Sequence, residues 1–305
     1  MEIQEKYNYG GWKNCIRLSN DNIELVATTD VGPRIIRFGF IGGQNMFREF
    51  PDQIGKTGGS EYRLYGGSRL WHGPEASPRC YFPDNRPVKY CLGGKTLKLT
   101  QDIEETTGMQ KEIEIMVDPK GNQVNLLHRI YNKNLWDIEF APWVLTVMNL
   151  GGRAIIPQEP FQSWEDKLTP VRPLVLWAYT KMNDPRWVWG AKYIQLKQDP
   201  NAKSRQKLGI LNTPGWVAYS LKDDLFIKRY KYDPEAKYTD LGVNTEIYTD
   251  PDILEIETLG AFEKIPAGGF VEHKENWSLF KADAGDSEES IDKNILPLVE
   301  KSEKV

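Results

Sequence analysis

The chain has 305 residues, 40% of them hydrophobic, and a formal net charge of -4, which is enough to bury a large core without disulfides and leaves one domain or two open on length alone. Lys and Arg are scattered rather than massed, so the sequence carries no electrostatic footprint for nucleic acid or for an anionic membrane surface. Its three cysteines (Cys15, Cys80, Cys91) and three histidines fall at irregular spacings, which predicts free thiols and no metal centre.

The N-terminus, MEIQEKYNYGGWKN, has no apolar h-region, and no apolar run of spanning length follows it; the expectation is a cytoplasmic protein, unless a leader has been removed. From there the chain runs in segments of about five to ten residues rich in Val, Ile, Tyr, Trp and Thr. Turn signals such as Ser19-Asn20-Asp21-Asn22, Gly42-Gly43, Gly93-Gly94, Pro119-Lys120-Gly121-Asn122 and Lys222-Asp223-Asp224 close them. Alternation is plain where Val124, Leu126, His128 and Ile130 share one face. This is the rhythm of antiparallel hairpins, and no repeat or linker divides it. The prediction is an all-β domain over residues 1–283. A tail over 284–305 follows, in which Ser287, Glu288 and Glu289 start a short helix that Pro297 interrupts.

Two stretches lack a sustained period. Pro51 to Pro87 carries Tyr62, Tyr65, Trp71, Tyr81 and Phe82 among Arg63, Arg69, Arg79, His72 and Glu75, and Pro157 to Arg186 mixes Gln158, Glu159, Trp164, Arg172 and Trp177 with five prolines. Long irregular segments in a compact domain are functional or disordered, and ones this aromatic argue for function. Aromatic faces beside Arg, Glu, Asn and Gln suit a sugar, which shows an apolar C–H face and a rim of hydroxyls. Covering the open ends of a sandwich is the alternative.

The segment IELVATTDVGPRIIRFGFIGGQNMF looks like the first strands of galactose mutarotase-like proteins, with their Gly-x-Arg-Ile turn. YGGSRLWHGPE, LLHRIYNKN, APWVLTVMNLGG and ILEIETLGAFEKIPAGGFVEHKENWSL follow in the order of that superfamily's later strands, closest to an uncharacterised bacterial branch. The resemblance covers most of the chain. It implies a large antiparallel β-supersandwich of the galactose mutarotase-like type, with a mono- or oligosaccharide in a concave cleft and no cofactor.

Aldose 1-epimerase-like chemistry needs a base for the anomeric proton and an acid for the ring oxygen. In Ile253 to Leu259, alternation puts Glu255 and Glu257 on one face, roughly 7 Å apart along a strand. Glu257 occupies the position that resembles the family's catalytic Glu. His72, in an irregular aromatic loop with no core role to explain it, is the candidate acid; His128 and His273 lie on apolar strand faces and read as core. Mutarotases carry a histidine in the middle strand, where this sequence has Trp143 and Thr146. A non-catalytic sugar-binding protein, or a hydrolase or lyase using a carboxylate pair, therefore stands beside the isomerase. Arg69, Trp71, Glu75, Trp143, Asn244, Glu246 and Glu255 are candidate substrate contacts. Lys228, alternating with Phe226, Tyr230 and Tyr232, is a candidate contact for an acidic or phosphorylated sugar, with a surface lysine as the alternative.

Overall fold

The computed structural model describes residues 1–302. In chain order its strands are β1 (Glu2–Tyr9), β2 (Trp12–Ser19), β3 (Ile23–Thr28), β4 (Arg34–Phe40), β5 (Gly67–Gly73), β6 (Lys89–Gly93), β7 (Thr96–Thr100), β8 (Met109–Val117), β9 (Gln123–Asn132), β10 (Ile138–Met148) and β11 (Arg153–Pro157). Then come β12 (Leu174–Leu176), β13 (Trp187–Trp189), β14 (Tyr193–Lys197), β15 (Gln206–Ile210), β16 (Trp216–Leu221), β17 (Asp224–Tyr230), β18 (Thr245–Thr249), β19 (Leu254–Leu259), β20 (Glu263–Ile265) and β21 (Phe270–Lys281). Two helices, α1 (Glu288–Asn294) and α2 (Leu296–Lys301), end the described chain, and among the described residues no helix is long and apolar enough to cross a membrane.

All pairings are antiparallel and form two large sheets. The first runs β1-β2-β3-β4-β5-β10-β19-β18-β15-β12, with β20 joined to β10; the second runs β13-β14-β11-β16-β17-β21-β9-β8-β7-β6. Their facing sides share one core, in which Phe38 and Phe47 of the first layer meet Phe226 and Trp277 of the second with ring centroids 5.3–6.0 Å apart. The second sheet is also covered outside: Trp216, Ala218, Leu225 and Ile227 pack against Ile291, Ile295 and Val299 of the two helices. Burial on both faces is why residues 216–219 of β16 and 225–227 of β17 read as continuous apolar runs rather than alternating ones. Ser287 caps α1 by accepting from the Ser290 backbone N–H, and Pro297 sits in the first turn of α2.

The segment from Pro51 to Pro87 is not irregular throughout, because β5 lies within it. That strand is buried along its whole length, so no polar face betrays it. It enters the sheet through Gly66 and Gly67, both at positive φ; a Cβ at Gly66 would meet the Arg48 carbonyl oxygen at 1.9 Å, and one at Gly67 the Ile35 carbonyl oxygen at 2.2 Å. Only glycine permits that approach. The preceding loop is tied down by fully buried Arg34 of β4, which donates to the Leu64 and Gly66 carbonyls and pairs with Asp84 at 2.7 Å. The Gly-x-Arg turn thus ties the chain entering β5 to the end of the aromatic segment at Asp84.

Between the sheets lies a charged cluster. Lys228 of β17 donates to Thr146 Oγ1 at 2.7 Å and pairs with Glu275 of β21 at 3.1 Å. Glu275 also accepts from Trp277 Nε1 and from Thr258. Burial raises the Glu275 carboxyl, but Lys228 and His128 outweigh it and hold the group well below the usual carboxylate range. Burial lowers the Lys228 ammonium, and Glu275 only partly offsets this. Removing one partner strands a buried charge, so Lys228→Met should cost about 3–5 kcal/mol in urea denaturation, and adding Glu275→Gln should recover part of the loss. A loss below about 1 kcal/mol for the single variant would show that the pair is not charged in the folded protein.

Candidate functional site

The outward face of five adjacent strands of the first sheet, β5, β10, β19, β18 and β15, forms the floor of a cleft with a volume of about 490 Å³. Alternation decides what it shows. β5 sends Arg69 and Trp71 outward, β10 Trp143 and Leu145, β19 Glu255 and Glu257, β18 Tyr248, and β15 Lys207. Two walls flank it, one bringing Tyr62 from the loop before β5 with Glu75 and Tyr81 from the loop after it, the other bringing Trp177 and Tyr179, while Arg205 immediately precedes β15.

The floor is held by charge. In the β18–β19 register Glu246 directly opposes Glu257, a juxtaposition of like charges that is unfavourable unless it is bridged. Lys207 bridges it, with its Nζ 2.7 Å from Glu246 Oε2 and 3.1 Å from Glu257 Oε2. The same ammonium lies 5.0 Å from the Trp143 ring centroid and 4.8 Å from that of Trp177. Gly209 makes room for Val243 and Trp177, since a Cβ there would lie 2.9 Å from the one side chain and 3.3 Å from the other. Burial lowers the Lys207 ammonium, but Glu257 and Glu246 together hold it well above its ordinary range. Burial pushes Glu246 well above the carboxylate range, and Lys207 offsets this only in part. Glu257 Oε2 accepts from Trp143 Nε1 at 2.9 Å and from Lys207, and its Oε1 has no partner. Two residues along, Glu255 pairs with Arg69 at 3.1 Å. Burial raises Glu255, the Arg69 guanidinium partly offsets this, and the Glu257 charge adds to the rise.

The structure gathers Arg69, Trp71, Glu75, Trp143, Glu255 and Glu257 at the cleft. Trp71 and Trp143 are packed floor rather than open platforms, at 5% and 2% exposure, their ring centroids 5.4 Å apart. Glu75 is exposed at the rim and accepts from the Tyr81 hydroxyl. Glu246 lies fully buried behind Glu257 and Lys207. Asn244 is spent on structure: its Oδ1 accepts from the Asn212 N–H at 2.7 Å and its Nδ2 donates to the Asn212 carbonyl at 3.1 Å.

Two candidates stand elsewhere. Lys228 points between the sheets into the cluster with Glu275, neither on the surface nor in reach of a cleft ligand. His72 is not in a loop: it belongs to β5, where alternation turns it away from Arg69 and Trp71 toward Phe140 in the core. It is fully buried, neither ring nitrogen has a partner, and burial, with Lys111 and Arg79 nearby, pushes its pKa down to about 3. A neutral core ring serves no proton transfer in the cleft. Lys207 and Arg205, absent from the sequence expectations, came into view only through strand pairing, because a lysine in QKLGI reads as an ordinary strand charge.

No protein-family model and no curated protein matches the sequence. Solved structures do match. A galactose mutarotase-like protein from Clostridium acetobutylicum is 11% identical, with a TM-score of 0.58 over 92% of this chain and 98% of that one. A galactose mutarotase-like protein from Lactobacillus casei is 10% identical, with a TM-score of 0.57 over 88% and 100%. A TPR-domain containing protein from Parabacteroides distasonis is 13% identical with a TM-score of 0.57, covering 87% of this chain; the chain spans 46% of that longer protein. The fold is therefore that of the galactose mutarotase-like β-sandwiches.

The burial of His72 has a measurable consequence. Its folded pKa of about 3 lies below the unfolded value of about 6.5, so as pH falls from about 6.5 toward 3 the unfolded chain binds a proton that the folded chain refuses. Stability is lost on that acid side by about 1.4 kcal/mol per pH unit. His72→Leu fills a similar volume and orphans no partner, so it should gain about 2 kcal/mol over wild type at pH 5 relative to pH 7.5. Denaturant titrations at the two pH values measure this, and parallel losses in both proteins would place His72 in contact with solvent.

Proposed function

We propose that the cleft binds a carbohydrate and that the protein is an aldose 1-epimerase-like isomerase, opening and reclosing a sugar ring by general acid and base catalysis without a cofactor. The observation that carries this reading is the pair Glu255 and Glu257, side by side on one strand at the floor of an aromatic-walled cleft, each fixed by its own cation. The likeness to galactose mutarotase-like structures supports it.

Glu257 is the base. Trp143 and Lys207 hold one of its oxygens, so the other is oriented to take the proton from the anomeric hydroxyl. Glu255, with its carboxyl raised by burial, is the acid that protonates the ring oxygen as the bond from the anomeric carbon to that oxygen breaks. The aldehyde rotates, and on reclosure Glu255 takes back the proton of the attacking hydroxyl while Glu257 returns its own to the carbonyl oxygen. Lys207 holds Glu257 in place, and Arg69 aligns Glu255. Tyr62, Tyr81, Trp177, Tyr179 and Tyr248 offer the apolar surface that a pyranose face requires. One observation favours a second reading, a sugar-binding protein without catalysis: none of the three histidines lines the cleft.

The readings separate in NMR exchange between sugar anomers, at a pH where the spontaneous rate is slow. Glu257→Gln should lower the exchange rate about 100 to 10,000-fold while sugar affinity stays within a few fold, since the amide keeps shape and loses the base. Glu255 acts in its protonated form and its pKa lies above the usual carboxylate range, so the wild-type rate should fall as pH rises through that pKa, and Glu255→Gln should remove this limb. Binding without exchange in the wild type would leave the non-catalytic reading, and an unchanged rate in Glu257→Gln would remove Glu257 from the chemistry.

A further inference from the structure

The aromatic surface that remains open in the cleft forms two separate walls. Trp71 and Trp143 have no free face: Arg69 lies 4.8 Å over the Trp71 ring, Lys207 lies 5.0 Å from that of Trp143, and both indoles are buried. Part-exposed Tyr62 and Tyr81 pack over β5, with ring centroids 5.8 and 4.8 Å from that of Trp71. At the other end, Trp177 and Tyr179 stand over β15. Trp177 sits against Gly209, Thr180 bonds the Lys207 backbone, and Tyr179 is 41% exposed.

In the sheet order, β10, β19 and β18 lie between β5 and β15. The walls thus rise from strands four spacings apart, roughly 19 Å at the floor. Glu255 and Glu257 project from the middle strand. A single pyranose stacked on either wall leaves the other open, and the cavity of about 490 Å³ lies in the range that takes drug-sized ligands rather than one small ring.

We infer that the substrate is an oligosaccharide of at least two units, one seated on Tyr62 and Tyr81 and its neighbour on Trp177 and Tyr179, with the carboxylate pair between the walls at the free anomeric carbon of its reducing-end unit. This rests on the carbohydrate reading above and names the substrate class. The walls act as two subsites, and binding energy from the non-reacting unit positions the reacting one.

Calorimetric titration of the full chain with glucose, galactose and galacturonate against maltose, cellobiose, lactose and digalacturonate tests it. At least one disaccharide should bind about tenfold or more tightly than its own monosaccharide. Trp177→Ala and Tyr62→Ala should each weaken that disaccharide, and only one of them should weaken the monosaccharide. Should Trp177→Ala fail to fold, Tyr179→Ala reports on the same wall. Equal affinities for mono- and disaccharide, or a monosaccharide weakened equally by both variants, would overturn the two-subsite inference and leave the carbohydrate reading standing. No binding by any of the seven probes would remove both.

Discussion

Lys207 is the constraint on which the cleft depends. Antiparallel pairing of β18 and β19 sets Glu246 against Glu257, and two carboxylates cannot both be ionised there without a bridging cation. The ammonium of β15 supplies it, which ties three strands together by one ion pair system in addition to their backbone ladders. The same strands carry polar groups on the reverse side: Thr258 next to Glu257 and Thr146 next to Leu145 both join the Lys228–Glu275 cluster between the sheets. A one-residue slip of β19 would carry Glu255 and Glu257 into the apolar core and turn Ile256 out of it, and a slip of β10 would turn out Val144, so the register of the floor is specified from both faces.

The walls are fixed by different means. Arg34 ties the chain entering β5 to the end of the first aromatic segment at Asp84, and Gly66 and Gly67 feed that chain into β5, so Tyr62 and Tyr81 are delivered against Trp71 by backbone geometry. The second wall is held through the short β12–β15 pairing and the Thr180 contacts to the Lys207 backbone. A floor fixed between tethered loops holds the cleft's side chains in one arrangement before any ligand arrives, which lowers the ordering cost of binding.

Much of this was legible in the sequence where the signal is local. Period-two alternation placed Glu255 and Glu257 on one face, grouped Lys228 with Phe226 and Tyr230, and identified His128 and His273 as core residues, as the structure shows. The concentration of aromatics between residues 51 and 87 and between 157 and 186 marked the two walls. What stayed hidden depends on pairing between distant strands. β5 has no polar face to alternate with, so His72 passed for a loop residue, and Lys228 could not be told from a surface lysine until Glu275 was seen opposite it. Lys207 is separated by 39 and 50 residues from the two glutamates it joins, and nothing in QKLGI points to them.

The central claim is that a sugar lies on this floor, over Glu255 and Glu257 and between the two aromatic walls. A crystal structure of the protein soaked with the tightest-binding sugar tests it directly. The account predicts ring density against Tyr62 and Tyr81 or against Trp177 and Tyr179, with a hydroxyl of the sugar within hydrogen-bonding distance of the free Glu257 oxygen. Density for the sugar at another surface, with the cleft empty at saturating ligand, would contradict it.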